Sequence, residues 1–277
     1  MTAVADDASP KPLSPLDVVD STVSHSARIW NYWLGGKDNY DVDRRVGDEI
    51  LAYVPELVRS ARADRHFLTR AVHYLAAEAG VRQFLDIGTG LPTVDNTHEV
   101  AQRVAPESRI VYVDNDPLVL THAHALLTST AEGATAYIDA DVRDPEAIVR
   151  AAAGTLDFDR PVAITMLGIL NFVLDDDQAR DIVHRLLDSV PAGSHLVVSH
   201  PTTEVDGEAM TGAVDYWNSQ GTAPMRLRTR DELARLFDRV TLVEPGVVSC
   251  SRWRPREDAE LGRIVDVTHF CGVGVKP

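Results

Sequence analysis

Cysteine is nearly absent from this chain. Only Cys250 and Cys271 occur in 277 residues, and no Cys-x-x-Cys is present. Neither a disulfide framework nor a zinc site is therefore expected, and no metal. Lysine is almost as rare. It stands at positions 11, 37 and 276 alone, so 24 of the 27 basic residues are arginine. That looks like a coding bias, and it makes Lys37 conspicuous. Positive charge as a whole is short: 42 acidic residues leave a net charge of −15 and a pI near 5.0. Nucleic-acid backbones and anionic membranes are polyanions, so neither is expected as a partner. The local exception is Arg226, Arg228 and Arg230, which read either as a basic patch or as a solvated loop. No apolar run approaches the ~20 residues of a spanning helix, and residues 1–20 contain no apolar signal-peptide core. The expectation is a soluble, cytoplasmic protein. A Gly-x-Ser-x-Gly elbow and a Walker lysine motif are also missing.

What is present is organised around one stretch. Val81 to Leu85 reads as a strand. It breaks into Asp86-Ile87-Gly88-Thr89-Gly90-Leu91-Pro92, and an amphipathic run from Thr97 to Val104 follows. Strand, glycine-rich turn and helix form the first unit of a nucleotide-binding α/β sheet. Without a Cβ, Gly88 and Gly90 permit a tight turn and a close backbone approach to a ligand. Two acidic strand ends come next. Ile110 to Val113 ends in Asp114-Asn115-Asp116-Pro117, with Asp114 lying 28 residues after Asp86, about one strand-helix-strand unit. Asp116 looks like a helix cap with Pro117 at the first helical position. Ala136 to Ile138 ends in Asp139-Ala140-Asp141-Val142. In a parallel sheet these ends open onto one edge, where ligands bind. A carboxylate at the second strand end is well placed to accept from two ribose hydroxyls. The third glycine of the dinucleotide fingerprint is replaced by Thr93, so nothing supplies a phosphate site.

The series Asp86-x-Gly88-x-Gly90, Asp114, Asp141 resembles the motifs of class I S-adenosylmethionine-dependent methyltransferases. A narrower match joins Ser26 to Tyr40 (SARIWNYWLGGKDNY) with Asp86 to Thr93 and Val113 to Pro117. Together they resemble the S-adenosyl methyltransferase family long catalogued as a domain of unknown function, over about residue 20 to the C-terminus. Pro92 departs from the wider class, where a third glycine is usual, and implies a longer, stiffer turn. The resemblance implies an α/β, doubly wound Rossmann-like sheet of seven strands, the last antiparallel beside the fifth. It implies S-adenosylmethionine as cofactor, with Asp86, Gly88 and Gly90 at its amino-acid portion, Asp114 at the ribose, and Asn115 also among the cofactor-binding residues. Asp141, in competition with Asp139, and the Val142 backbone fall to the adenine. Leu167 and Gly168 approach the sulfonium end.

Ahead of that unit, residues 1–20 carry three prolines among small and acidic residues and read as a disordered tail. Residues 21–80 read as a helical cap or lid, and 81–277 as the cofactor-binding domain. In the cap, Ile29, Trp30, Trp33 and Leu34 fall at helical spacing, with Ser24 or Ser26 as cap and Gly35-Gly36 as terminator. Asp41 to Tyr53 and Pro55 to Ala79 read as two more helices. Tyr32, Gly35, Gly36, Lys37, Asn39 and Tyr40 make a polar, aromatic cluster where packing alone needs neither, and we expect it at the cofactor. Lys37 or the Asn39 amide is the natural donor to the cofactor's carboxylate. Tyr32 or Trp33 offers a ring face to the sulfonium.

Further on, Pro161 to Leu170 is apolar enough for a central parallel strand. Gln178 to Val190 follows as a helix, and His195 to Ser199 as the fifth strand. Residues 200–229 look irregular. Thr229 caps a helix over Glu232 to Asp238, and Val240 to Val243 and Ile264 to Val275 are the last two strands. Catalytic residues stay open. Asn171, His200, Tyr216 and Trp217 lie near strand ends, and a histidine is a base near neutral pH. The acidic charge favours a small-molecule acceptor. Three functions compete at this stage: a methyltransferase, a non-catalytic cofactor-binding regulator, and a nicotinamide-dependent oxidoreductase.

Overall fold

We describe a computed structural model of the chain, covering residues 20–126, 128–220, 223–255 and 264–277. The expected disordered tail therefore lies outside the described residues, except for Asp20. Three helices come first: α1 (Ser26–Trp33), α2 (Asp41–Tyr53) and α3 (Leu57–Ala77). Five parallel strands follow: β1 (Gln83–Ile87), β2 (Arg109–Asp114), β3 (Ala134–Asp139), β4 (Ala163–Leu167) and β5 (His195–Pro201). The crossovers between them are α4 (Thr97–Val104), α5 (Pro117–Leu126), α6 (Pro145–Ala152) and α7 (Asp176–Asp188). After β5 come α8 (Gly207–Ser219), α9 (Arg230–Ala234), β6 (Thr241–Leu242), β7 (Val248–Ser249) and β8 (His269–Val275).

The sheet runs β3-β2-β1-β4-β5-β8-β6, with β7 paired beside β8. β8 is antiparallel to β5 and β6, with His200 opposite Phe270. The last strand lies antiparallel beside the fifth, as expected. Order reverses between β1 and β4, which opens a crevice at the carboxyl ends of those strands. The central strands are apolar and buried on both faces, as a helix-covered parallel sheet requires. Leu85, Val111, Ile164 and Leu196 pack with Ile148 of α6 and Ile182 and Leu186 of α7. Phe84, Ile110 and Val197 pack with Phe67, Ala71 and Leu75 of α3 and Val100 of α4. The second half of α3 thus covers the sheet.

A separate apolar cluster unites Ile29 and Trp33, Val46 and Ile50, Leu57 and Ala61 with Met210, Ala213 and Trp217 of α8. It holds a buried ion pair, Arg28 Nε to Asp43 Oδ2 at 3.1 Å. Asp43 also accepts from the His25 and Tyr40 amides at 2.9 Å each, so one carboxylate fixes the starts of α1 and α2.

Local signals mostly hold. Asn96 and Thr229 form capping boxes, and Asp144 caps α6 ahead of Pro145. Gly35 ends α1 at φ +82°. Several expectations need correction. Residues 207–219 form α8 rather than irregular chain. The helix starts after Asp206 at φ +52° with no side-chain cap, so no start signal marks it. His25, not Ser24 or Ser26, stands at the cap of α1. The final strand begins at His269, not Ile264, and β6 spans two residues only. Arg226 and Arg228 do not form an open basic patch. Arg228 is buried, bonded to Asp176, Leu170 O and Val173 O, and Arg226 pairs with Asp176 and Glu232. Among the described residues no helix is long and apolar enough to cross a membrane, and no cluster of histidine, cysteine and acidic residues could hold a metal.

Candidate active site

One cavity of about 330 Å³ opens at the carboxyl ends of the parallel strands. It is lined from β1 by Asp86 to Gly90, from β2 by Asp114 and Asn115, from β3 by Asp141 and Val142, and from β4 by Leu167 and Gly168. The strand-end residues singled out from the sequence are therefore brought together. Asp139, the rival of Asp141, is exposed and lies off the lining.

The sheet wall is shaped by backbone. Gly88 stands at φ +76° and its amide donates to Val113 O (2.8 Å); a Cβ there would meet Ile169 at 2.6 Å. Gly90 (φ +65°) and Gly168 (φ +61°) face open space instead, so their lack of side chain leaves room in the cavity. Asp86 is buried, with Oδ2 accepting from Thr97 (2.6 Å) and Oδ1 from Thr165 (2.8 Å). Burial raises its pKa, against the two threonine bonds and the Arg65 charge. Asp114 accepts the Gly90 amide (2.8 Å) on one oxygen and the Asp116 amide (3.0 Å) on the other. Burial raises its pKa as well. A carboxylate offers about four lone-pair sites, so accepting capacity remains toward the cavity. Asp141 accepts the Arg143 amide (2.8 Å), and the neighbouring Val142 amide donates to no group among the described residues.

The opposite wall comes from the helices. Ala27, Trp30, Asn31 and Leu34 present one stripe of α1, and Asp64, Arg65 and Leu68 one stripe of α3. Asn31 is buried. Its Oδ1 accepts from the Asp38 amide (3.1 Å) and Asn39 Nδ2 (2.9 Å). A backbone N–H can only donate, so the amide orientation is fixed, and Nδ2, on a residue that lines the cavity, has no protein partner among the described residues. Arg65 grips the turn before α4 through Val94 O (3.2 Å), Asp95 O (3.1 Å) and Asn96 Oδ1 (3.1 Å). His25 reaches across to Asp116, Nδ1 to Oδ2 at 2.8 Å. Burial pushes that carboxyl's pKa up, the His25 contacts outweigh it, and the net shift is downward. Asp116 also accepts the Leu118 amide (2.8 Å), as a helix cap should.

The remaining residues singled out from the motif around Gly35 stand behind this wall. Tyr32 donates to Asp48 (2.6 Å) and packs on Gly47. Asn39 holds Asn31 and accepts from Arg44 Nη1 (2.8 Å). Gly36 lies under Asn31, whose side chain sits 2.4 Å from where its Cβ would be. Lys37 is exposed. None of the four lines the cavity. Of the catalytic candidates, Asn171 lines it and is buried. Tyr216 stacks toward Tyr53, ring centroids 6.0 Å apart, off the lining. His200 is fully buried off the lining. Its Nδ1–H donates to Pro201 O (2.7 Å) and its Nε2 accepts from Arg228 (2.7 Å). Burial first, then the Arg228 charge, pushes its pKa down to about 3, and its one basic lone pair is occupied.

Asn31, Arg65 and His269 were missed. The first was visible as part of the Ala27, Trp30, Asn31, Leu34 spacing of one helical face. The last gave no signal, because β8 was expected to start before it.

The strand order and the strand-end cavity define a class I methyltransferase fold. The chain matches the S-adenosyl methyltransferase family over residues 14–277 and belongs to it. S-adenosylmethionine is that family's cofactor. The chain is 48% identical to a DUF574 family protein from Streptomyces avermitilis MA-4680, covering 93% of this chain and 99% of that one at a TM-score of 0.89. It is 39% identical to a candidate methyltransferase from Thermobifida fusca YX, covering 97% and 99% at a TM-score of 0.85. No curated protein matches it.

Proposed function

We propose that this methyltransferase modifies a small-molecule acceptor held in the same cavity as the cofactor. The observation that carries this is the continuity of one cavity from the glycine-rich turn to the apolar side chains of α1 and α8. The residues present fit S-adenosylmethionine. Gly90 and Gly168 leave open space, and Asn115 stands beside Asp114. Asp114 keeps accepting capacity for ribose hydroxyls, and the Asp141–Val142 pair offers an acceptor and a free amide to adenine. Asn31 Nδ2 supplies a donor from the cap. Gly36 and Asn39 then belong to the site as its support, holding Asn31 in place rather than touching the ligand, while Tyr32 and Lys37 stand apart from it. When bound, the cofactor supplies an activated methyl group on a sulfonium. The protein's part is to orient the acceptor beside it and exclude water, which can supply most of the rate.

The dinucleotide alternative is disfavoured by the turn itself. The Gly88 and Thr89 amides both donate to Val113 O, and the Gly90 amide to Asp114, so these three N–H groups are not available to a diphosphate. A cytoplasmic site of action belongs to the same proposal, supported by two cysteines that are both free and buried. Calorimetry tests the cofactor reading. S-adenosylhomocysteine should bind at micromolar level or better and nicotinamide adenine dinucleotide should give no heat. The reverse result would overturn the assignment.

A further inference from the structure

Beyond the strand ends the cavity changes character. Its far part is walled by Trp30, Trp33, Phe172, Met210, Trp217 and Met225, from α1, α8, the turn after β4 and the chain after α8. Phe172 and Trp217 lie with ring centroids 6.3 Å apart, and Trp30 meets the His269 ring edge-on at 5.4 Å. Flat rings prefer such faces and edges. Two polar side chains interrupt this surface. Asn171 is 2% exposed and its Oδ1 has no hydrogen-bond partner among the described residues. His269 is 4% exposed and its Nδ1 is likewise unpartnered. Both line the cavity. Buried hydrogen-bonding atoms left unmade are unfavourable, and on residues that line a cavity they mark what its occupant can supply. Burial lowers the His269 pKa, against the Asp64 charge, so at neutral pH this ring is uncharged and can accept a bond. Asp64 borders the same sector, with the Cys250 thiol against it at 3.6 Å, and its negative charge repels an anion.

We propose that this sector binds the methyl acceptor as an aromatic molecule bearing a hydroxyl or amino group and no carboxylate or phosphate, with Asn171 and His269 taking that substituent. The proposal rests on the methyltransferase reading and names its substrate class.

The test is calorimetry on the full chain saturated with S-adenosylhomocysteine, using 2-naphthol and 2-naphthoate as probes. We expect 2-naphthol to bind, and 2-naphthoate to bind at least tenfold more weakly. Asn171→Leu and His269→Phe should each weaken 2-naphthol about fivefold to twentyfold and leave S-adenosylhomocysteine affinity within twofold. That unchanged affinity also certifies that the variants are folded. Absence of 2-naphthol binding, equal binding of 2-naphthoate, or parallel loss of both ligands in the variants would overturn the proposal. The wild-type comparison of the two probes decides even where a variant does not fold. Failure of S-adenosylhomocysteine to bind at the outset would instead sink the cofactor reading.

Discussion

The two walls of the cavity are made differently. The sheet wall uses backbone: left-handed glycines, strand-end carboxylates and amides within a few residues of one another. The helical wall uses side chains from α1, α3, α8 and His269, which are neighbours only after folding. A backbone-built site is stiff and local, so it survives as a motif. A site packed from distant helices has no single motif, and its chemistry can change one side chain at a time. In the reading proposed above, the cofactor, common to the whole class, meets chiefly the first wall, and the acceptor, the variable partner, the second.

The sharpest way to break the helical wall is Arg28→Ala. It leaves Asp43 buried and unpaired, and removing one partner of a buried pair destabilises by about 3–5 kcal/mol. Chemical denaturation should show that loss. If the helices form half of the site, S-adenosylhomocysteine affinity falls with it. Full affinity in a destabilised variant would mean that the sheet wall suffices alone.

On the sheet wall, Gly88→Ala and Gly90→Ala separate packing from recognition. Both residues have φ values that alanine adopts at a cost of roughly 1–2 kcal/mol. Only at Gly88 does the new Cβ also strike Ile169, and overpacking adds about 1–3 kcal/mol. Gly88→Ala should therefore lower stability by roughly 2–5 kcal/mol. Gly90→Ala should lower it by only the roughly 1–2 kcal/mol of the backbone cost, and also reduce ligand affinity, because its Cβ enters the open cavity. The same stability loss in both variants would contradict this division.

Asp114→Ala comes next. Losing hydrogen bonds to a charged acceptor costs about 1.5–3 kcal/mol, roughly tenfold to a hundredfold in S-adenosylhomocysteine affinity. Asp116→Ala should lower stability by about 1 kcal/mol through its cap, and lose the His25 contact as well. If calorimetry finds the two variants equally weakened in binding, Asp114 is a capping residue and nothing more.

How much of this was legible follows the same line. Asp86, Gly88, Gly90, Asp114 and Asp141 were readable because turn geometry and strand ends constrain adjacent residues. α8 was not, since it begins at Asp206–Gly207 without a cap and carries the apolar wall on a stretch that reads as irregular. His200 was readable as a histidine on the ligand edge, but not as one enclosed by Arg228. That enclosure gives a pH test. Its folded-state pKa, about 3, lies below the ordinary histidine value of 6.5, so the unfolded chain binds the extra proton between those values. Stability from this group is complete above pH 6.5 and is lost as pH falls, by about 1.4 kcal/mol per unit. Relative to wild type, His200→Gln should show a shallower loss from pH 6.5 to 5, about 2 kcal/mol less. Parallel curves would mean that His200 is already protonated in the folded state.

The smallest expected effect sharpens the comparison most, because it separates the inside of the helical wall from its rim. Asn31→Asp keeps Oδ1, and with it the bonds from Asp38 and Asn39, but replaces the unpartnered donor by a negative oxygen. The support loop should stay in place, so melting should change little. Affinity for S-adenosylhomocysteine should fall about tenfold or more, the range of one hydrogen bond to a charged group. Lys37→Ala, six residues on, removes an exposed side chain that lines nothing. It should leave both stability and affinity within a factor of two, since surface changes of this kind stay within about 0.5 kcal/mol. A tenfold loss at Lys37 with none at Asn31 would reverse the picture. The polar loop after the double glycine would then fold onto the ligand, and the donor that a lone lysine first suggested would be the one in use.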